Sequence, residues 1–249
     1  MNYYFISDKN NTKRREHITN QCKKIGLEPR YFDAIMGKNI SNLELHQSVV
    51  ETNCLTPSEI GCALSHLSLY KQLVTSSHQA LIVFEDDVHF TDSLSLDILQ
   101  ELYQFVETHK GPCVLTLKAS ETYYTKVKIL SPFTIYSTPR FMGAYAYIIN
   151  KEAAQNIIAA QTPLSFEIDV YRYYYYLNLC DLYSVYPSPT YVDDTIESTI
   201  NDRDTEEFEL LRSKYKTTNF NQLFLKLSLK NKILSIYRRI KTHQSKSTY

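Results

Sequence analysis

Five consecutive apolar residues, Ala80 to Phe84, run directly into three carboxylates, Glu85, Asp86 and Asp87. An unbroken apolar run of this length is typical of a β-strand buried on both faces, because a half-buried strand alternates apolar and polar residues. Such strands belong to sheets that carry helices on both faces. We therefore predict an α/β protein with the carboxylates at the carboxyl end of a central strand, where open α/β sheets bind their ligands.

The opening of the chain predicts the same class of fold. A strand is expected at residues 2–7, a helix at residues 16–25 that ends at Gly26, and a second strand at residues 29–35. Strand, helix and strand in this order begin a parallel sheet. Residues 36–54 are expected to form a loop.

A helix start is encoded by Thr56, Pro57 and Glu59. Thr56 is suited to the N-cap, proline to the first helical position, and a glutamate three residues after the cap completes a capping box. Further helices are predicted near residues 94–108 and 151–160, and further strands near residues 113–118 and 144–150.

The three carboxylates indicate a divalent metal site. Neighbouring negative charges repel one another, and a bound cation offsets that repulsion. An oxygen-only set of ligands suits Mg²⁺ or Mn²⁺, which commonly combine one or two carboxylates with phosphate oxygens and water. An ion of this kind stabilises a diphosphate leaving group. The alternative is that Glu85, Asp86 and Asp87 begin a solvated loop.

The two ends of the chain differ in charge. No acidic residue follows Glu209, whereas ten of the 27 lysines and arginines do. We therefore predict a globular domain at residues 1–209 and a basic amphipathic helical tail at residues 210–249. Such a tail can bind an anionic membrane surface. Its apolar face could instead pack on the domain or on a second subunit; nucleic-acid binding is the weakest reading, and no nucleic-acid partner is expected.

Targeting signals and cysteine spacing bear on the compartment. The sequence has no recognisable signal peptide and no apolar segment long enough to cross a bilayer. Its five cysteines include no CxxC pair, so their spacing encodes neither a disulfide framework nor a zinc site. We expect a cytoplasmic protein, peripheral on the cytoplasmic face of the inner membrane.

Two linked motifs resemble glycosyltransferase family 25, the lipooligosaccharide galactosyltransferases. They are LTPSEIGCALSH at residues 55–66 and LIVFEDDV at residues 81–88. The resemblance covers about residues 1–205 and implies a GT-A-like, Rossmann-type mixed sheet flanked by helices, a UDP-sugar as donor substrate, and Mn²⁺ or Mg²⁺ at the acidic triplet. Further matches are Arg14-Arg15, Phe32-Asp33-Ala34-Ile35, Gly143-Ala144-Tyr145-Ala146-Tyr147 and Ser198-Thr199-Ile200.

The resemblance also implies roles for single residues. Glu85 and Asp87 fall at the outer positions of the DxD-like motif and are the expected metal ligands, with Asp87 preferred, while Asp86 would contact ribose or the donor sugar. The remaining sugar-donor site is expected to comprise Ile6 and Ser7 at the uridine, Arg14 and Arg15 near the nucleotide, and His66, Gly143 and Tyr145. A solvated helix start explains the arginines equally well, and a structural hydrogen bond is the commoner role for a lone helical histidine.

Forming a β linkage from an α-linked donor inverts the anomeric carbon and requires a general base. Glu167 and Asp169 are the candidates, because a spacing of two in a strand-like segment puts both on one face. The family pattern favours Asp169, and capping of a helix that starts at Val170 is the alternative. Other expected sugar contacts are Tyr145, Tyr147, the tyrosines of residues 171–176, Asp193 and Asp194.

The predicted function is the inverting transfer of galactose from UDP-galactose to a lipid-linked lipooligosaccharide or LPS acceptor. UDP-glucose or a UDP-N-acetylhexosamine remain possible donors in the same fold. A non-catalytic, membrane-tethered glycan-binding module is the alternative from a different class.

Overall fold

The computed structural model describes residues 1–192 and 206–247. The candidates Asp193 and Asp194 and the family match at Ser198-Thr199-Ile200 lie outside the described residues. The strands are β1 Tyr3–Ser7, β2 Tyr31–Asp33, β3 Ala80–Glu85, β4 Val88–Phe90, β5 Cys113–Thr116, β6 Thr122–Tyr123, β7 Thr125–Leu130, β8 Phe133–Ser137, β9 Ala146–Asn150, β10 Asp181–Tyr186, β11 Thr190–Val192 and β12 Lys246–Ser247. The α-helices are α1 Thr12–Ile25, α2 Asn42–Ser48, α3 Pro57–Thr75, α4 Leu96–Glu107, α5 Lys151–Ala160, α6 Tyr171–Tyr176, α7 Glu206–Lys226 and α8 Leu229–Thr242.

Eight strands form one mixed sheet in the order β2-β1-β3-β9-β5-β10-β8-β7. β1 is parallel to both β2 and β3, and β9 runs antiparallel between β3 and β5. The prediction of a mixed sheet flanked by helices is confirmed. Because β1, β2 and β3 are parallel, their carboxyl ends meet at one edge.

The central strand β3 is buried on both faces, as its composition predicted. Leu81 and Val83 pack with α3 and α5, whereas Ile82 and Phe84 pack with α1 and α4. All four side chains are at most 1% exposed. This burial fixes the position of the carboxylates that follow.

Helix α3 begins as predicted. The hydroxyl of Thr56 accepts a hydrogen bond from the Glu59 backbone, and the Glu59 side chain accepts one from the Thr56 backbone. The N-terminus of the helix is therefore held rigidly beside the carboxyl edge of the sheet.

Two local predictions were wrong. Residues 36–54 are not all loop, since they contain α2 and a short 3₁₀ helix at Gly37–Asn39; α2 starts with its own capping box between Ser41 and Glu44. The segment around Glu167 and Asp169 is not strand-like. The side chain of Gln161 accepts hydrogen bonds from the backbone of the residues just before Glu167, which occupies N–H groups that a strand would pair.

The basic tail is helical, but it forms two helices rather than one. α7 ends at Lys226, and Ser228 caps α8 by accepting a hydrogen bond from the Asn231 backbone. α7 runs through residue 209 and packs on the sheet domain through Arg212, Asn219 and Phe220, which are all buried. The division of the chain at residue 209 stays a prediction. Within residues 1–192 and 206–247, no helix combines the length and apolar character needed to span a membrane.

Candidate active site

A cavity of about 400 Å³, here called the first cavity, lies where β1 and β3 end. The strand ends contribute Ile6, Ser7 and the acidic triplet, and α1 contributes Arg14. Residues 34–38 and the first turns of α3, including His66, form the opposite wall. The structure therefore brings most of the residues expected at the sugar donor into one space, although their separation along the chain is large.

Arg14 is the cation that faces the triplet. Its guanidinium donates a hydrogen bond to Asp86, and its Nη1 lies 3.6 Å from Oδ2 of Asp87. Burial and the neighbouring Glu85 raise the pKa of Asp87 from 3.8 to about 6, although Arg14 acts in the opposite direction. The triplet therefore carries more negative charge than Arg14 offsets.

The carboxylates at this edge fit a hard divalent cation. Oδ1 of Asp87 is buried and has no hydrogen-bond partner within the described residues. An orphaned carboxylate oxygen beside Glu85 supplies the type of ligand that Mg²⁺ and Mn²⁺ prefer. Glu85 and Asp87 could hold such an ion, and its charge would offset the burial and the repulsion from Glu85 that raise the pKa of Asp87.

His66 connects Glu85 to a buried pair of tyrosines. Its Nε2 lies 3.2 Å from Oε1 of Glu85, and its Nδ1 lies 2.7 Å from the hydroxyl of Tyr147. That hydroxyl is in turn 2.6 Å from the hydroxyl of Tyr70. Because His66, Tyr147 and Tyr70 are completely buried, this chain holds the imidazole and one Glu85 oxygen in fixed positions.

Ser65 and Gly61 shape the wall of the first cavity. The hydroxyl of Ser65 accepts a hydrogen bond from the Ile35 backbone and donates one to the carbonyl of Gly61, both at 2.8 Å. A Cβ atom on Gly61 would lie 2.4 Å from the carbonyl oxygen of Ile35. Glycine is therefore required for the loop at residues 34–38 to approach α3. The two hydrogen bonds of Ser65 therefore join the loop to α3.

A buried ion network joins α7 to the body. Arg212 donates to Glu59 at 2.7 and 3.0 Å and to Oε1 of Glu167 at 2.7 Å, and Lys216 lies 2.7 Å from the same Glu167 oxygen. Arg212 was missed from the sequence, because its carboxylate partners are 153 and 45 residues away and no local pattern links them. A buried capping glutamate, Glu59, was the only signal, since a buried carboxylate needs a partner.

A second cavity of about 450 Å³ is lined by Asp169, Arg172, Lys118 and Arg140, and by the α7 residue Arg212. Burial raises the pKa of the Cys62 thiol, and the charges of Glu85 and Asp169 raise it further. The charge of Asp169 in the second cavity thus acts on Cys62, which lines the first cavity.

Three predicted site residues line neither cavity. Arg15 bonds to Asp33 and to the carbonyl of Ser7, and the carbonyl of Tyr145 accepts a hydrogen bond from the Glu85 backbone at 2.8 Å. Gly143 has a φ of +86°, the left-handed region that favours glycine. Arg15 and Tyr145 thus contact the backbone of the strand ends.

The tyrosines expected to touch an acceptor divide by burial. Tyr147, Tyr171 and Tyr174 are 0% exposed and belong to the core between the sheet and α3. Tyr173 lines the second cavity, and buried Tyr171 also forms part of its wall. The aromatic content of residues 171–176 is therefore mostly structural.

Residues 1–172 match the family model described as glycosyltransferase family 25 (LPS biosynthesis protein). A Haemophilus influenzae protein named "Putative glycosyltransferase" is 27% identical over 197 residues, covering 75% of this chain and 67% of that protein. The "Lipooligosaccharide biosynthesis protein lex-1" of the same species is 26% identical over 190 residues, covering 61% of each.

Another relative is the Bos taurus protein named "Probable inactive glycosyltransferase 25 family member 3". It is 26% identical over 177 residues, covering 64% of this chain but only 28% of that protein. Among solved structures, the chain is similar to the inositol-1-phosphate CTP transferase of T. maritima, with a TM-score of 0.35 and 12% identity. The match covers 86% of this chain and 76% of that one.

Proposed function

The chain belongs to glycosyltransferase family 25, and from this premise we propose that it is an inverting, metal-dependent transferase of GT-A type that uses a UDP-sugar. The observation that supports this most strongly is the acidic triplet, placed in a cavity at the carboxyl edge of the sheet with an unpartnered Asp87 oxygen. A second cavity is lined by another carboxylate, Asp169, whose charge acts on Cys62 in the lining of the first cavity.

The first cavity is the proposed site of the UDP-sugar. Ile6 and Ser7 at the end of β1 would contact the uridine, and Arg14 would stabilise negative charge on the diphosphate. Glu85 and Asp87 would hold Mn²⁺ or Mg²⁺, with Asp86 free to contact ribose or the sugar once Arg14 turns to the phosphates. A bound metal supplies charge stabilisation to the departing UDP.

The second cavity is the proposed site of the acceptor, and Asp169 is the proposed base. Asp169 would take the proton of an acceptor hydroxyl as that oxygen bonds to the anomeric carbon and the bond from that carbon to the diphosphate oxygen breaks. Attack from the side opposite to UDP inverts the anomeric carbon. The contacts of Glu167 favour a different role, because Arg212 and Lys216 both hold its Oε1.

We further propose that the sugar is galactose and that the acceptor belongs to a lipooligosaccharide or LPS. The support is the family description and the Haemophilus influenzae relative whose name refers to lipooligosaccharide biosynthesis. UDP-glucose and UDP-N-acetylhexosamines are the alternative donors. Because the Bos taurus relative is named as inactive, a binding module without transfer is the competing function.

Helix α8 supports a peripheral position on the anionic, cytoplasmic face of the inner membrane. Arg238 holds one side of the helix to the body through the carbonyls of Tyr175 and Cys180 and through Asp181. On the other side, apolar residues one or two turns apart are exposed: Leu229 by 76%, Ile233 by 62%, Ile236 by 49% and Ile240 by 61%. Exposed apolar residues interspersed with lysine and arginine suit an anionic lipid interface, where a lipid-linked acceptor is found.

The deciding experiment measures UDP release from a panel of UDP-sugars on a lipooligosaccharide acceptor, with Mn²⁺ and with chelator. We expect one donor to be turned over with Mn²⁺ only, and Asp87→Asn to abolish turnover. Asp92→Asn, which neutralises an exposed carboxylate outside the cavity, is the matched control and keeps its activity. If the protein binds glycan but turns over no donor, the proposed transferase function is wrong and the binding-module function takes its place.

A further inference from the structure

At the first cavity, a cysteine and a histidine of α3 lie beside Glu85 of the acidic triplet. Cys62 and His66 are four residues apart on α3, so both project from the same face of the helix. Glu85 at the end of β3 faces them. The Sγ atom, an imidazole nitrogen and a carboxylate oxygen of these three residues all lie within 4.8 Å of one another.

We propose that Cys62, His66 and Glu85 form a binding site for Zn²⁺ that inhibits the enzyme. Zn²⁺ at this site would compete for Glu85 with the Mn²⁺ or Mg²⁺ of the sugar-donor site, and the two neighbouring dications would repel each other. The inhibitory part of this inference rests on the proposed function, whereas the binding of Zn²⁺ does not.

The set of ligands selects the metal. Thiolate and imidazole favour Zn²⁺ over Mg²⁺ and Mn²⁺, which prefer oxygen ligands only. With Zn–S of about 2.3 Å and Zn–N or Zn–O of about 2.0 Å, tetrahedral ligand atoms lie roughly 3.3 to 3.6 Å apart. His66 and Glu85 are already 3.2 Å apart, so the main adjustment is an approach of the Cys62 sulfur by about 1 Å.

The surroundings of His66 orient it as a ligand. Its Nδ1 is within hydrogen-bond distance of the Tyr147 hydroxyl, at 2.7 Å, which leaves Nε2 to face Glu85. A hydrogen bond to the other ring nitrogen is the usual outer contact of a metal-bound histidine, because it fixes the tautomer and the plane of the ring. Tyr70 supports Tyr147 in turn, at 2.6 Å.

Access to the site is through the first cavity, which Cys62, His66 and Glu85 all line. Of the five cysteines, Cys22, Cys113 and Cys180 are buried, whereas Cys54 and Cys62 are partly exposed. Cys54 is not part of the cluster, so it provides a matched control for any thiol chemistry at Cys62.

The binding test uses Co²⁺ as a spectroscopic substitute for Zn²⁺ on the full chain. We expect wild type and Cys54→Ser to show a thiolate-to-Co²⁺ charge-transfer band that Zn²⁺ abolishes, and Cys62→Ser to lack it. No band in the wild type, or a band that persists in Cys62→Ser, would overturn the proposal.

A second test measures the rate of cysteine alkylation in the wild-type protein. One equivalent of Zn²⁺ should slow alkylation of Cys62 at least tenfold and leave the rate at Cys54 unchanged. Equal rates at Cys62 with and without Zn²⁺ would also overturn the proposal.

The inhibition test compares turnover with Zn²⁺ and without it, at fixed Mn²⁺, as a ratio within each protein. We expect a fall of tenfold or more in wild type and in Cys54→Ser, and a ratio near one in Cys62→Ser. Equal inhibition of all three proteins would contradict the regulatory role. A chain that binds Co²⁺ through Cys62 but turns over no donor would refute the proposed transferase alone.

Discussion

Arg212 of α7 donates a hydrogen bond to Oε1 of Glu167 across 2.7 Å, with both side chains less than 10% exposed. The same guanidinium is bonded to Glu59, the capping residue of α3. The helix that follows residue 205 is therefore joined to the N-terminus of α3 and to the loop that carries Asp169. Arg212 therefore links the stability of the fold to the geometry of the second cavity.

Replacing that cation should destabilise the protein strongly. We expect Arg212→Met to lower the free energy of unfolding by about 3 to 5 kcal/mol, because it leaves two buried carboxylates with one remaining cation, Lys216. The measurement is urea denaturation followed by circular dichroism. Lys214→Met on the same helix is exposed and should change stability by less than about 0.5 kcal/mol. Similar values for both variants would show that the network contributes little.

The elements that the sequence predicted well were those with a local signal. β3 is encoded by apolar residues on both faces, and α3 by a threonine cap, a proline and a glutamate within four positions. The first cavity was predictable to the same extent, since its acidic edge follows directly from the end of β3. The capping box of α2 at Ser41 and Glu44 was equally local and was missed.

What could not be predicted depends on contacts between distant residues. Arg212 meets Glu59 over 153 residues, and His66 meets Tyr147 over 81 residues. The segment at Glu167 has a strand-like sequence, yet the buried amide of Gln161 binds its neighbours' backbone instead. Such pairings follow from the complete fold, so a pattern in one short segment does not contain them.

Substitutions of Glu167 and Asp169 should have different effects on kcat. We expect Asp169→Asn to lower kcat by about 10² to 10⁴, the usual range for loss of a general base. Glu167→Gln should instead lower stability by about 1 to 3 kcal/mol, since it weakens the buried network, while kcat stays within about tenfold. Steady-state kinetics and urea denaturation of the two variants decide the point. If the kcat loss belongs to Glu167 and not to Asp169, the base assignment is exchanged.

The exposed face of α8 should control membrane binding. We expect the double variant Ile233→Asp with Ile240→Asp to lower partitioning onto anionic vesicles by about tenfold or more, because a buried isoleucine contributes about 1.5 to 3 kcal/mol. Co-sedimentation with phosphatidylglycerol vesicles measures it, with neutral phosphatidylcholine vesicles as comparison. Leu43→Asp, on α2 and 68% exposed, is the matched control. Unchanged vesicle binding together with loss of a dimer in sedimentation would assign this face to a second subunit.

Asp87→Asn should stabilise the metal-free protein while it abolishes turnover. The folded pKa of Asp87 is raised from 3.8 to about 6, so its contribution to stability is fully present below about pH 4 and is lost as pH rises through 6. Asparagine resembles the protonated form of Asp87. The free energy of unfolding of the variant should therefore exceed that of wild type by about 2 to 3 kcal/mol at pH 8 in chelator, and the difference should shrink towards zero near pH 4.

Mn²⁺ should raise the melting temperature of wild type more than that of the variant, because the ion binds the folded carboxylates. Thermal unfolding at both pH values, with and without Mn²⁺, measures both effects. Equal stability of the two proteins at pH 8 in chelator would mean that neither burial nor Glu85 disfavours the charged form of Asp87. The physical argument for a metal at Glu85 and Asp87 would then be lost.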